Sequence, residues 1–241
     1  MLRRVLLLVS VLPVWLLLAG CSTAEGQQAQ ALLAEADAAQ AQLTSSSFEG
    51  GVSFALSGQE VSLRFEGAGS GGNGFMQMSS DTLPGVDTTV IVRGDRIWVK
   101  SEGSWQELPA SSAQGLATPS LGPAAFAELT KHVMDVRVTE GEVVGGRPVT
   151  IVAGELDTAG LLGAAAKLSG LGGELGAPVD LDDVRSQLGD VEAVLTIDDG
   201  SKLLTSALVK LTIGTGDEAV ELRLDYRLTS WNEPVEIPSL N

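Results

Sequence analysis

The chain has 241 residues, 44% of them apolar, with 15 Lys and Arg against 31 Asp and Glu, a formal net charge of −16 at pH 7. So apolar a composition excludes a disordered tail, and so acidic a balance excludes nucleic-acid binding through phosphates and repels anionic head groups. One Cys and one His exclude an internal disulfide and a tetrahedral zinc set.

Arg3 and Arg4 open the chain, Val5 to Leu18 form an apolar run, and Leu18-Ala19-Gly20 brings small residues up to the sole thiol, Cys21. A run of about 14 apolar residues is too short for a permanent span of a ~30 Å bilayer. The stretch resembles a bacterial lipoprotein signal with its lipobox. That resemblance implies removal of residues 1–20 and a thioether between Cys21 and diacylglycerol, hence an exported protein, lipid-anchored in the cell membrane or envelope. Cleavage removes two arginines, taking the charge from −16 to −18. Two acyl chains, each gaining ~0.8 kcal/mol per buried methylene, hold where one would be marginal.

Residues 21–28 are small and polar, a lipidated tether that spans about 25 Å if extended at ~3.3 Å per residue. Everything after them, 29–241, is expected to form a single domain. "AQALLAEADAAQAQL" reads as a helix over 29–43, with Leu32, Leu33, Ala36 and Ala39 as its apolar face. From Phe48 the period changes to two. Val52, Phe54 and Leu56 alternate with polar or small residues, as do Val61, Leu63 and Phe65, then Val90 and Val92, then Ile97 and Val99. "NGFMQMSS" reads as another strand. The pattern resumes at Val136 and Val138, Val149 and Ile151, Val191 to Ile197, Ala207 to Ile213 and Val220 to Leu228. In the last of these, Glu221, Arg223, Asp225, Arg227 and Thr229 form a fully polar opposite face. Asp199-Gly200 and Gly214 to Asp217 mark hairpin turns. About ten strands with one wet side predict a large antiparallel sheet.

Two segments interrupt it. "PAAFAELTKHV", Pro123 to Val133, sets Phe126, Leu129 and Val133 at helical spacing. The second runs from Asp157 to Gly189, with Asp157 and Asp180 as N-caps of two helices. Its Gly160 to Gly176 stretch is studded with glycine, each costing up to ~1 kcal/mol inside a helix, yet carries Leu161, Leu162, Ala165 and Leu168. It reads either as a mobile lid over an apolar cavity or as an ordinary core helix of poor propensity.

No motif points to catalysis. Gly67-x-Gly69-x-x-Gly72 follows a strand but precedes another strand, so it reads as a flexible hairpin loop rather than a dinucleotide site. "DLDDVR" at Asp180 lacks the glycine and distal ligand of a calcium loop. His132, the sole histidine, sits near a predicted helix end where a surface role is expected. No G-x-S-x-G or S-x-x-K is present. The protein is expected not to be an enzyme, and no cofactor or metal is expected.

The lipobox, the short N-terminal helix, the run of amphipathic strands, the central helical insertion and the ending "LRLDYRLTSWNEPVEIPS" together resemble the actinobacterial LppX/LprA/LprF/LprG lipoprotein family, and more distantly the LolA/LolB carriers. The likeness runs from about Ala31 to Pro238. Asp157 to Gly189 departs from it in being longer than the family's insertion. The resemblance implies an α+β fold, a strongly curved antiparallel half-barrel with helices in its concave face, that binds acyl chains of a lipid or glycolipid. The cargo would then lie against Val52, Phe54, Val61, Leu63, Phe65, Met76, Met78, Val90, Val92, Ile97 and Val99 on the sheet. Phe126, Leu129, Leu161, Leu162, Ala165 and Leu168 would face it from helices at 123–133 and 157–172. Such a carrier is a monomer whose partners are the membrane, the lipid and a candidate membrane transporter. The rival reading is a non-catalytic interaction or sensor lipoprotein that binds a protein through the curved sheet.

Overall fold

The computed structural model describes residues 12–56, 59–83, 85–101, 103–108, 129–157, 188–214 and 219–240. Among these residues one helix, α1 (Leu12–Gln40), precedes eleven strands: β1 (Ser45–Leu56), β2 (Gln59–Ser70), β3 (Asn73–Ser79), β4 (Asp87–Arg93), β5 (Arg96–Ser101), β6 (Ser104–Leu108), β7 (Val133–Val144), β8 (Arg147–Leu156), β9 (Leu188–Asp198), β10 (Leu204–Ile213) and β11 (Val220–Trp231). They form one antiparallel sheet in the order β6-β5-β4-β3-β2-β1-β11-β10-β9-β8-β7, with β6 and β7 at its edges. Two meanders therefore meet at the centre, where the first strand pairs with the last.

The helix differs at both ends from the expected 29–43. It extends back to Leu12 through residues 21–28, so the segment read as an extended tether is helical. Ala24, Glu25, Gln27 and Gln28 all favour helix, and the single Gly26 costs too little to break it. At the other end Gln42 and Leu43 donate to carbonyls three residues back, Ala39 at 3.1 Å and Gln40 at 3.2 Å, which tightens and stops the last turn. Ala29, Leu33, Ala36 and Gln40 form its buried stripe. The helix crosses the sheet's apolar face and is tied down at two points of its C-terminal half. Gln30 Nε2 donates to the Val133 carbonyl of β7, and Gln40 Nε2 to the Leu204 carbonyl of β10, each at 3.3 Å.

Three further differences concern the strands. β6, "SWQEL", lacks the alternation that marks the others, and only pairing with β5 reveals it. Val133 opens β7 opposite Leu156 instead of ending a helix. Helical geometry stops at Thr130, and the His132 amide closes the turn on the Leu129 carbonyl at 3.0 Å. Gly67 and Gly69 lie inside β2, so the supposed flexible loop shrinks to Gly71-Gly72, both with positive φ (56° and 82°), a two-residue hairpin turn.

The glycines within the strands have a packing cause. Phe48 of β1 sits opposite Gly67 of β2, and Gly50 sits opposite Phe65. Each ring lies over the glycine facing it: a Cβ on Gly67 would stand 2.6 Å from Phe48 Cζ and 2.5 Å from the Phe75 carbonyl oxygen. Two aromatic rings thus occupy space that side chains at 50 and 67 would take.

The face opposite α1 is mostly polar in its central strands, and the C-terminal segment crosses part of it. Asn232 donates to the Ser45 carbonyl at 2.9 Å, Ser45 Oγ donates to the Glu233 carbonyl at 2.5 Å, and Arg93 Nη2 donates to the Pro238 carbonyl at 2.9 Å. Between these ties Pro234 and Val235 run beside Ala68 and Phe75. Under this strap Ala68 and Ile91 are buried on what is otherwise the wet side.

The β9–β10 turn, expected at Asp199-Gly200, is held by buried Asp198, whose Oδ1 accepts from the Ser201 amide at 2.7 Å and its hydroxyl at 2.8 Å. Burial alone would raise this carboxyl's pKa, but the Ser201 hydrogen bonds and the attraction of Arg147 more than offset it, leaving it below the ordinary range. With the folded pKa depressed, the stabilisation is complete above the unfolded value of about 4 and is lost as pH falls through the folded one. Asp198→Asn should accordingly be less stable than wild type in urea at pH 7, with the gap closing as the solution is acidified.

Candidate functional site

Cross-strand register places the expected sheet residues on one face, the face that α1 covers in part. Val61 pairs with Phe54 and Leu63 with Val52; Phe65 pairs with Met78; Met76, Val90 and Val99 follow one another across β3, β4 and β5; Val92 pairs with Ile97. A one-residue slip in any strand would have turned its set to the other side. The same row continues through β11 and β10, where Phe54 meets Leu222 and then Leu211, and Val52 meets Leu224 and then Val209.

These residues are not equivalent in burial. Met76, Val90, Val92 and Ile97 are closed into the core with Phe48, Tyr226 and Leu228. Val61 is buried as well. Val52, Phe54, Leu63, Phe65, Met78 and Val99 remain half-buried. Leu129 is described and lies against the core, partly buried; Phe126, Leu161, Leu162, Ala165 and Leu168 lie outside the described residues, as do the helix expected at 157–172 beyond Asp157 and the one expected from Asp180.

Along the central strands burial falls steadily toward one end. In β11 Leu228 and Tyr226 are 4% and 2% exposed, while Leu224, Leu222 and Val220 are half-buried. In β10 Leu204, Ala207 and Val209 are buried, Leu211 is half-buried and Ile213 is 36% exposed. In β1 Phe48 is buried, whereas Val52 and Phe54 are half-buried. The result is an aliphatic lane beside α1, about 20 Å long over the six residue steps from Leu228 to Leu222. Leu211, Leu222 and Leu224 belong to this lane although sequence reading placed them only in strands. Their signal was present in the alternation of "VELRLDYRL", but which alternating strands stay uncovered depends on where α1 docks.

The lane offers little chemistry. Burial pushes the Tyr226 phenol up, so it stays neutral and behaves as part of the apolar floor, its ring 6.0 Å from that of Phe48. The ion pairs Arg64–Asp81 (2.9 Å), Arg96–Glu107 (2.6 Å) and Arg227–Glu49 (3.7 Å) are exposed, and register places them on the opposite face. Among the described residues no three His, Cys, Asp or Glu side chains come close enough to hold a metal ion. No described helix is long and apolar enough to cross a membrane.

No family model matches the chain, and no curated protein matches it significantly. Solved structures do. LprF from Mycobacterium bovis aligns over 88% of this chain and 97% of its own, with a TM-score of 0.53 at 19% identity. The lipoprotein LppX from Mycobacterium tuberculosis aligns over 88% and 99%, with a TM-score of 0.50 at 17% identity. The chain has the fold of LprF and LppX. A LolA superfamily protein from Nitrosomonas europaea is more distant, with a TM-score of 0.33 at 14% identity. The resemblance drawn from the strands and the C-terminal motif thus holds at the level of fold, for a large open antiparallel sheet with one described helix on its apolar face.

Proposed function

We propose that this protein is an envelope lipoprotein, anchored through acylated Cys21, that binds a lipid or glycolipid acyl chain along the apolar lane and carries it without catalysing a reaction. The observation that supports this most is the half-buried row Phe54–Leu222–Leu211 and Val52–Leu224 in the middle strands of the sheet, where a body made only to fold would bury its aliphatic side chains. Apart from Phe54 the row is aliphatic, with Phe65 and Met78 beside it. A protein-binding surface draws its energy from Trp, Tyr and Arg anchors, whereas an acyl chain needs a smooth apolar lane and gains from adaptable methionine. Transfer of a chain of about 16 carbons from water is worth roughly 13 kcal/mol at ~0.8 kcal/mol per methylene, so cargo in transit must be covered.

Mass spectrometry on the full-length protein purified from membranes tests both halves. An N-terminal peptide carrying acyl mass on Cys21 and a co-purified acyl lipid approaching one per chain are expected. A protein that holds no lipid and takes up no fluorescent fatty acid would refute the carrier reading.

A further inference from the structure

We infer that the lane opens at the end of the sheet where α1 arrives, toward the bilayer that holds the protein's own anchor, so that cargo is exchanged with the membrane directly beneath it. This rests on the lipid-binding reading and adds a direction to it.

Among the described residues the two ends of the lane differ. One is shut by buried Leu203, Leu204 and Gln40, and by Trp231, whose ring lies 4.5 Å beneath the Arg147 guanidinium. The other ends in half-buried Phe54 and Leu222 and exposed Ile213. Chain direction fixes where α1 stands relative to these ends. Register aligns Ile213 with the start of β9 and Leu156 with Val133, so the first residues of β7 lie at the open end. There Glu25 and Gln27 of α1 adjoin Asp135, Arg137 and Glu155. Cys21 comes four residues before Glu25 on the same helix, about 6 Å at 1.5 Å per residue. Acyl chains on Cys21 therefore hold the open end at the bilayer and leave the shut end about 30 Å away, roughly nine residues of strand.

The rim of the open end is net acidic: exposed Glu60, Asp81, Asp87, Asp135 and Glu221 outnumber the Arg64, Arg137 and Arg223 side chains of the same end. Such a rim resists an anionic leaflet and tolerates a neutral one, a difference that salt removes within a Debye length of about 10 Å at 0.1 M and 3 Å at 1 M.

With Cys21 acylated, one introduced cysteine gives a unique label. Full-length protein of verified acyl mass, with nitrobenzoxadiazole on Ile213→Cys or Val143→Cys, is placed in phosphatidylcholine vesicles containing nitroxide lipid. Strong quenching at 213 and none at 143, the exposed tip of the β7–β8 hairpin, is expected; equal or reversed quenching overturns the orientation. In the same vesicles Ile213→Lys should slow uptake of a pyrene-labelled fatty acid several-fold, while Val143→Lys leaves it unchanged. An unchanged rate for Ile213→Lys overturns the assignment of the mouth. Uptake from phosphatidylglycerol vesicles should be about tenfold slower than from phosphatidylcholine at low salt and recover near 1 M NaCl. If wild type binds no pyrene probe from any vesicle, the lipid-binding reading fails and the mouth falls with it, whereas normal binding with the wrong quenching pattern removes only the direction.

Discussion

Gly67→Ala is expected to lower stability by about 3 kcal/mol, at the upper end of what overpacking costs in a closed core. The new methyl would meet the Phe75 carbonyl at 2.5 Å and Phe48 Cζ at 2.6 Å, and neither can retreat cheaply. The carbonyl belongs to a sheet strand. The Phe48 ring is buried against Tyr226 and Leu228 at the junction of the two meanders. Gly51→Ala supplies the control. A Cβ there meets Leu63 O at 3.2 Å and the Asp225 side chain at 3.4 Å, and the latter can swing into solvent. A cost below about 1 kcal/mol is expected, since alanine also restricts the unfolded chain. Urea denaturation of both variants decides whether the loss at 67 comes from the aromatic contact or from any glycine replaced in a strand; equal midpoints would rule out the contact.

Val52→Trp is expected to abolish most lipid binding while leaving the fold in place. Val52 lies between Leu63 and Leu224, half-buried, so an indole there extends along the lane instead of forcing a closed core apart. Co-purified lipid should fall to a small fraction of wild type with the circular dichroism unchanged. Val92→Trp is the contrasting case. Val92 is buried between Gly74 and Ile97, and overpacking it should cost about 1–3 kcal/mol through the core. Should Val52→Trp retain its full lipid load, the cargo does not lie along β1, β2 and β11.

Much of the architecture was legible because it depends on local alternation. Val191 to Ile197 and Val220 to Leu228 carry a period of two with polar residues between, and each became a strand with its apolar set on the face that α1 covers in part. β6 was not legible: "SWQEL" has no repeat, and its strand exists only because β5 offers a partner edge. The same limit applied to the site. Met76 and Val90 look like Met78 and Val99 in sequence, yet the first pair is closed into the core and the second is half-buried. Burial of an alternating residue is decided by what lies across from it, and α1 is held by Gln30 and Gln40 to backbone carbonyls of β7 and β10 that no local pattern announces. Gly67 read as part of a flexible hairpin loop until register placed it inside β2 with the Phe48 ring opposite it.

The meeting of β1 with β11 bears on how the chain acquires its shape. Within each half, neighbouring strands other than β8 and β9, which residues 157–187 separate, are close in sequence and can zip as hairpins on the microsecond scale. The seam between the halves joins Phe48 to Leu228, so its loop-closure entropy is paid late and ordering slows. Until residues 220–231 have emerged, β1 is a twelve-residue edge with an unsatisfied row of amides and carbonyls on one side. Newly made chains therefore pass through an interval in which β1 of one molecule can pair with β1 or β11 of another. The interval ends when the final strand docks and Asn232 and Glu233 bond to Ser45 at the start of β1.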